Sequence, residues 1–277
     1  MKHEIRSIPG RGRVLWLTDG RTELGIALDV GIRILHCSYV GCENLLYEQP
    51  DNLNDGLSTK DGWRIYGGHR YWTAPESDLS YYPDNQPVPY ELTVDGVILS
   101  QNDDPWLKIK KQIEIKFCED GSIFLLHRAK NISDEMQSFA SWGVTTFDKG
   151  NACIGFPQGK LGAYTPDRKV SLWGESTLTD ERIQFRCDKI LASHISLEHP
   201  FKMGVFSSNG HADLTNKGQR FTLTFEADAA GQYPDGGCNF EVYMDAHVLE
   251  MEALGQVCSL QPGEAAVHWE RWQIERI

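Results

Sequence analysis

Four short segments concentrate the side chains able to do chemistry. The first is Gly67-Gly68-His69-Arg70-Tyr71-Trp72-Thr73-Ala74-Pro75-Glu76. Paired glycines let a backbone turn tightly or approach another chain closely. His69, Arg70, Trp72 and Glu76 then follow within one short stretch. Trp and Tyr offer flat apolar faces with a polar edge, which suits the C–H face of a sugar ring. Arg and Glu can each make two directed hydrogen bonds to vicinal hydroxyls. The competing reading is a buried loop in which Arg70 and Glu76 pair with each other. The second segment is Tyr233-Pro234-Asp235-Gly236-Gly237-Cys238-Asn239-Phe240-Glu241. A turn through Asp235 leads into a strand that places Asn239 and Glu241 on one face, either solvated or turned into a cleft. The third is His247-Val248-Leu249-Glu250-Met251-Glu252-Ala253-Leu254. Glu250 and Glu252 share a strand face with Val248 and Leu254. Two carboxylates in an apolar strand repel each other and push one pKa up, which is how a general acid or base is tuned. An exposed strand face is the alternative. The fourth is Lys202, which either points outward or reaches into a cleft; on sequence alone the outward reading is preferred.

Other chemistries find no support. His127 lies on the Ile123 and Leu125 face of a strand and reads as a core histidine. No His-x-His or His-Glu-x-x-His spacing occurs and the cysteines are dispersed, so no metal site is expected. There is no P-loop, no Gly-x-Gly-x-x-Gly after a strand and no Gly-x-Ser-x-Gly elbow. No cofactor is expected.

The elements that must position these residues read as strands. Leu107, Ile109, Ile113, Ile115 and Phe117 alternate with Lys108, Lys110, Gln112, Glu114 and Lys116, the period of a strand with one buried face. Phe221, Leu223 and Phe225 alternate with polar residues in the same way. Further strands are predicted over Val14–Thr18, Glu23–Asp29, Ile32–Tyr39, Tyr90–Val94, Ile123–Asn131, Ser138–Phe147, Ile190–Leu197, Lys202–Ser207, Phe240–Tyr243, His247–Leu254 and Ala265–Glu275. Asp19-Gly20, Asp95-Gly96, Asp120-Gly121, Asn209-Gly210 and Pro262-Gly263 mark turns with positive-φ positions. No segment keeps a helical period, so the fold class is all-β, a sandwich or barrel. Residues 48–90 interrupt the rhythm with a loop excursion and one short strand near Trp63–Tyr66. Trp63, Tyr66, Tyr71, Trp72, Tyr81 and Tyr82 make that loop one wall of a site rather than a disordered tail.

Composition narrows the partners. The chain has 277 residues, with 27 Lys+Arg against 39 Asp+Glu and a formal net charge of −12. One domain over residues 1–277 is expected, since β-sandwiches reach about 250 residues as one unit. The acidic balance and the lack of a basic tract exclude a nucleic-acid footprint and an anionic membrane surface. No apolar run follows Met1-Lys2-His3-Glu4-Ile5-Arg6, and seven scattered cysteines form no paired framework. Reduced thiols and a cytoplasmic location are the expectation.

The four segments carry a family resemblance. With Lys202-Met203-Gly204, Leu260-Gln261-Pro262-Gly263-Glu264 and His268-Trp269-Glu270-Arg271-Trp272 they form an ordered set spanning most of the chain. In that order the chain resembles the galactose-mutarotase-like (aldose 1-epimerase-like) superfamily, specifically a bacterial branch of it. The resemblance implies a large antiparallel β-supersandwich whose concave sheet face takes a small carbohydrate. It implies that a late-strand Glu, Glu250 or alternatively Glu252, removes the anomeric proton, and that Arg70 contacts the sugar. The mid-chain His-x-Tyr-Phe segment that supplies the family's acid reads here Ala140-Ser141-Trp142-Gly143-Val144-Thr145-Thr146, without a histidine. His69, or alternatively His127, is the substitute expected as acid, with Arg70, Trp72, Glu76, Lys202, Asp235, Glu241 and Glu252 positioning hydroxyls. A sugar-binding or sensing module without turnover is the alternative, and a glycoside hydrolase or lyase a weaker third.

Overall fold

The computed structural model describes residues 1–50, 62–155, 164, 168–174 and 176–277. The first half of the chain contributes β1 (Lys2–Ile8), β2 (Gly12–Thr18), β3 (Thr22–Ala27), β4 (Arg33–Tyr39), β5 (His69–Ala74), β6 (Tyr90–Leu92), β7 (Gly96–Ser100), β8 (Ile109–Phe117), β9 (Ile123–Asn131) and β10 (Gln137–Phe147). The second half contributes β11 (Asn151–Gly155), β12 (Val170–Leu172), β13 (Ile183–Phe185), β14 (Lys189–Ser193), β15 (Phe201–Val205), β16 (His211–Asn216), β17 (Gln219–Phe225), β18 (Phe240–Met244), β19 (Leu249–Leu260) and β20 (Ala265–Arg276). Two ten-stranded antiparallel sheets result. One runs β1-β2-β3-β4-β5-β10-β19-β18-β15-β12, the other β13-β14-β11-β16-β17-β20-β9-β8-β7-β6. Among the described residues no helix is long and apolar enough to cross a membrane.

The core lies between the sheets and follows from alternation. Ile34, Tyr71, Phe147, Met203, Val242 and Met251 point inward from the first sheet; Ile113, Leu125, Phe221 and Trp272 meet them from the second. Burying each such side chain contributes roughly 1.5–3 kcal/mol. Every second residue of the first sheet must therefore face the other way. On the central strands that outer face is also covered. Trp63 and Ile65 pack there on Trp72, Ala74, Ala140, Trp142, Val144 and Leu254, with Tyr81 beside them.

Alternation did not reveal β1, β7, β11, β12, β13 or β16, and three further details differ from it. The strand expected from Leu107 starts at Ile109, because Lys108 adopts a φ of 52°. The short strand of the aromatic excursion is β5, not Trp63–Tyr66, which runs as irregular chain over the sheet. Gly96 is not at positive φ; a Cβ there would lie 1.8 Å from the Ile115 carbonyl oxygen, so close backbone approach is what demands glycine.

The aromatic excursion is held down by a buried ion pair. Arg33 donates from Nη1 and Nη2 to the two Asp84 carboxylate oxygens at 2.8 and 3.0 Å. Their side chains are 2% and 9% exposed. Asp84→Asn keeps one acceptor but leaves the guanidinium without its counter-charge. The expected loss is about 2–3 kcal/mol, read as a lower urea midpoint. An unchanged midpoint would show that the pair does not anchor this wall.

Candidate active site

Register on five adjacent strands assembles the site. β5 pairs with β10, β10 with β19, β19 with β18 and β18 with β15. Trp72 lies opposite Trp142, Thr146 opposite Glu250, Tyr243 opposite Glu250, and Lys202 opposite Tyr243. Because side chains alternate, these residues share the outer face. The segment before β5 can reach this position only through Gly67 and Gly68. Their φ values are 92° and 71°, and a Cβ would sit 2.1 Å from the Tyr47 carbonyl oxygen or 2.0 Å from that of Ile34.

The face forms a pocket lined, among the described residues, by ten side chains. Trp63, Trp72, Trp142 and Tyr81 make an aromatic wall with ring centroids 5.1 to 5.5 Å apart. The Tyr81 hydroxyl donates to Glu76 at the exposed rim. Beside the wall, Arg70 Nη1 donates to Glu250 Oε1 at 3.0 Å and to Thr146 Oγ1 at 3.2 Å. Thr146 in turn donates to the same Glu250 oxygen at 2.7 Å. Among the described residues Oε1 takes both bonds, leaving Oε2 as the free oxygen of a pocket-lining carboxylate. The Arg70 guanidinium also lies 4.7 Å from the Trp72 ring centre.

A second charged group flanks the first. Lys202 Nζ sits 2.9 Å from Glu241 Oε2 and 3.1 Å from Glu252 Oε2, and 4.7 Å from the Trp142 ring centre. Trp142 Nε1 donates to Glu252 Oε2 at 2.7 Å. Both carboxylates are 1% exposed, and the Oε1 of each is buried with no hydrogen-bond partner. Burial raises the pKa of Glu241, and the neighbouring Glu252 charge adds to it against the pull of Lys202. Burial likewise raises Glu252. Burial also opposes the charge on Lys202, yet the two carboxylates hold its pKa above the ordinary lysine value.

That arrangement carries a pH prediction. With a raised pKa, Glu241 holds its proton more tightly in the folded than in the unfolded chain. Its stabilising contribution is complete below the ordinary value of 4.5 and is lost as pH rises through the raised value. Glu241→Gln removes that loss and leaves Lys202 with a single partner. The Tm of the variant relative to the native chain is expected to climb between pH 5 and pH 9. A difference that stays flat, or falls, would count against the raised carboxyl.

The structure brings together six of the nine residues singled out by sequence. Arg70, Trp72, Glu76, Lys202, Glu250 and Glu252 line the pocket. Glu241 stands behind Lys202. Asp235, in the turn at φ 53°, is outside the lining; its charge acts through Glu241, whose pKa it raises. His69 does not face the pocket. It is fully buried on the opposite face of β5, between the sheets, with Nδ1 3.0 Å from Thr145 Oγ1 and Nε2 2.9 Å from His127 Nε2. Asn239 is equally remote, bonded to both backbone groups of Ser207. Sequence reasoning missed Trp142, Thr146 and Tyr243. Parity with Ala140 and Val144 was the available signal for Trp142 and Thr146, and parity with Glu241 for Tyr243.

The two large antiparallel sheets have the fold of solved galactose-mutarotase-like structures. Known structures agree. One from Escherichia coli K12, described as a candidate aldose 1-epimerase, superposes with a TM-score of 0.64 at 12% identity, over 95% of this chain and 99% of that one. A candidate mutarotase from Salmonella typhimurium gives 0.62 at 11%, over 99% and 94%. A galactose mutarotase-like protein from Clostridium acetobutylicum gives 0.58 at 11%, over 100% and 99%. At these identities the likeness is one of fold. No protein-family model matches the sequence, and no curated protein does.

Proposed function

We propose that the outer-face pocket binds a single carbohydrate ring and promotes exchange between its anomers, with Glu250 as general base. The observation that carries this reading is the joining of an aromatic wall to two buried charged groups on one sheet face. Aromatic planes receive the C–H face of a ring, and directed charged donors and acceptors take its hydroxyls. The descriptions of the structural neighbours support the same class. Anomer exchange needs a base at the anomeric hydroxyl and an acid at the ring oxygen. Glu250 Oε2 accepts the hydroxyl proton. Since His69 faces the core, the donor is Glu252, a pocket-lining carboxyl whose pKa burial raises. Proton donation to the ring oxygen accompanies cleavage of its bond to the anomeric carbon, and the reverse transfers close the ring on either face.

A second reading, a binding or sensing module without turnover, is favoured by one observation: no imidazole of the described residues lines the pocket. A thermal-shift screen against neutral, acidic and phosphorylated sugars, followed by polarimetry on every hit, separates the two. A ligand at 100 times its Kd should stabilise by about 2.7 kcal/mol. Stabilisation with faster mutarotation supports the epimerase; stabilisation at the buffer rate supports the module. No shift across the panel would sink both.

A further inference from the structure

We propose that His69, His127 and Glu270 form a buried site for one first-row divalent cation, zinc by its donor set, clamped between the two sheets. The three come from β5, β9 and β20, and each is 0% exposed. One ligand atom from each lies within 4.8 Å of the other two. The two imidazole Nε2 atoms are 2.9 Å apart. Nitrogen and oxygen ligands on a tetrahedral zinc ion stand about 3.3 Å from one another, given bonds of about 2.0–2.1 Å. Small side-chain shifts therefore bring all three onto a common centre.

The surroundings are built for this. Trp272 Nε1 donates to Glu270 Oε2 at 2.8 Å, which fixes the carboxylate and leaves Oε1 buried without a hydrogen-bond partner, with His268 Nε2 3.9 Å away. A bound cation would satisfy that buried acceptor. Gly143 admits the carboxylate, since a Cβ there would lie 2.0 Å from Glu270 Oε1. Thr145 Oγ1 lies 3.0 Å from His69 Nδ1. A bond donated from Nδ1–H to that hydroxyl leaves the Nε2 lone pair for the metal, the usual outer partner of a ligating histidine. Two imidazoles and a carboxylate match zinc and its neighbours rather than magnesium or calcium. The enclosure makes the role structural. The ion would tie β5, whose next residue Arg70 faces the pocket, to the opposite sheet.

The test uses the full chain purified without a polyhistidine tag and dialysed against EDTA. Mass spectrometry of the metal content is expected to find about one zinc or similar ion per chain. Glu270→Gln and His127→Gln are expected to fall below about a tenth of that, while Glu250→Gln keeps it. Native chain refolded from denaturant with zinc should take up the ion, gain Tm over chain refolded in chelator, and show a histidine nitrogen shell by X-ray absorption. That refolding experiment decides the matter if the variants do not fold. A metal-free protein whose Tm ignores zinc during refolding overturns the proposal, as does an ion that persists in both variants.

Discussion

Glu250→Gln is expected to cut the rate of sugar anomer exchange by about 100-fold or more while leaving the pocket intact. General acid–base assistance is worth about 10²–10⁴-fold, and the amide removes it without changing the side chain's shape. Gln can still accept through its oxygen from Arg70 and Thr146, which bond Glu250 at 3.0 and 2.7 Å. Neutralising one partner of this buried ion pair, 6% and 8% exposed, costs about 2–3 kcal/mol of stability, as for Asp84, and leaves most of a typical domain's stability in place. The informative pattern is thus a fall in kcat with sugar-induced thermal stabilisation retained. Polarimetry on the native chain and the variant supplies the first quantity, and a melting curve with the sugar supplies the second. Equal rates in both would remove Glu250 from the chemistry and leave the module reading. Loss of binding together with rate would assign Glu250 to holding the ring rather than to moving its proton.

Lys202→Met is expected to have the largest effect on stability. The ammonium is the shared counter-charge of Glu241 and Glu252, each 1% exposed, at 2.9 and 3.1 Å. Methionine fills similar space against Trp142 and Trp173 but leaves two carboxylates facing each other with no cation. Removing one partner from a buried ionic group costs about 3–5 kcal/mol. The sign with pH follows from the raised carboxyls. As pH rises past the raised Glu241 value of about 8, the fold must hold both as anions or keep their protons against the solvent, so the deficit is greatest there. As pH falls toward the ordinary value of 4.5, the folded chain neutralises them by protonation and the deficit shrinks. Urea melts at pH 5 and pH 8 measure both. A second change, Glu241→Gln in the Lys202→Met background, should recover part of the loss at pH 8. A deficit that does not vary with pH, or none at all, would mean that the two carboxylates are not charged against one another.

The sequence by itself determined the all-β class, because alternation survives wherever one strand face is buried and the other wet. β8, with Ile113 and Ile115 buried and Lys110 and Lys116 exposed, could be read directly. The same period puts Glu250 and Glu252 on one face by their spacing alone, and the density of aromatics between residues 63 and 82 marks a wall of the site. β5 shows where that logic stops. All six of its residues are buried, so no alternation in polarity reveals the strand or says which way His69 and Arg70 point. Only the pairing of β5 with β10, and the second sheet behind it, turned Arg70 to the pocket and His69 to the core. Lys202 is the same lesson in reverse. Nothing near it in sequence demands an inward lysine, yet the order β19-β18-β15 sets it beside Glu241 and Glu252. His69, His127 and Glu270 likewise share no spacing, since they come from two sheets that meet only when the sandwich closes. Local period decides which side chains share a face. Long-range strand order decides which strands lie side by side, and in this protein the candidate chemistry depends on that order.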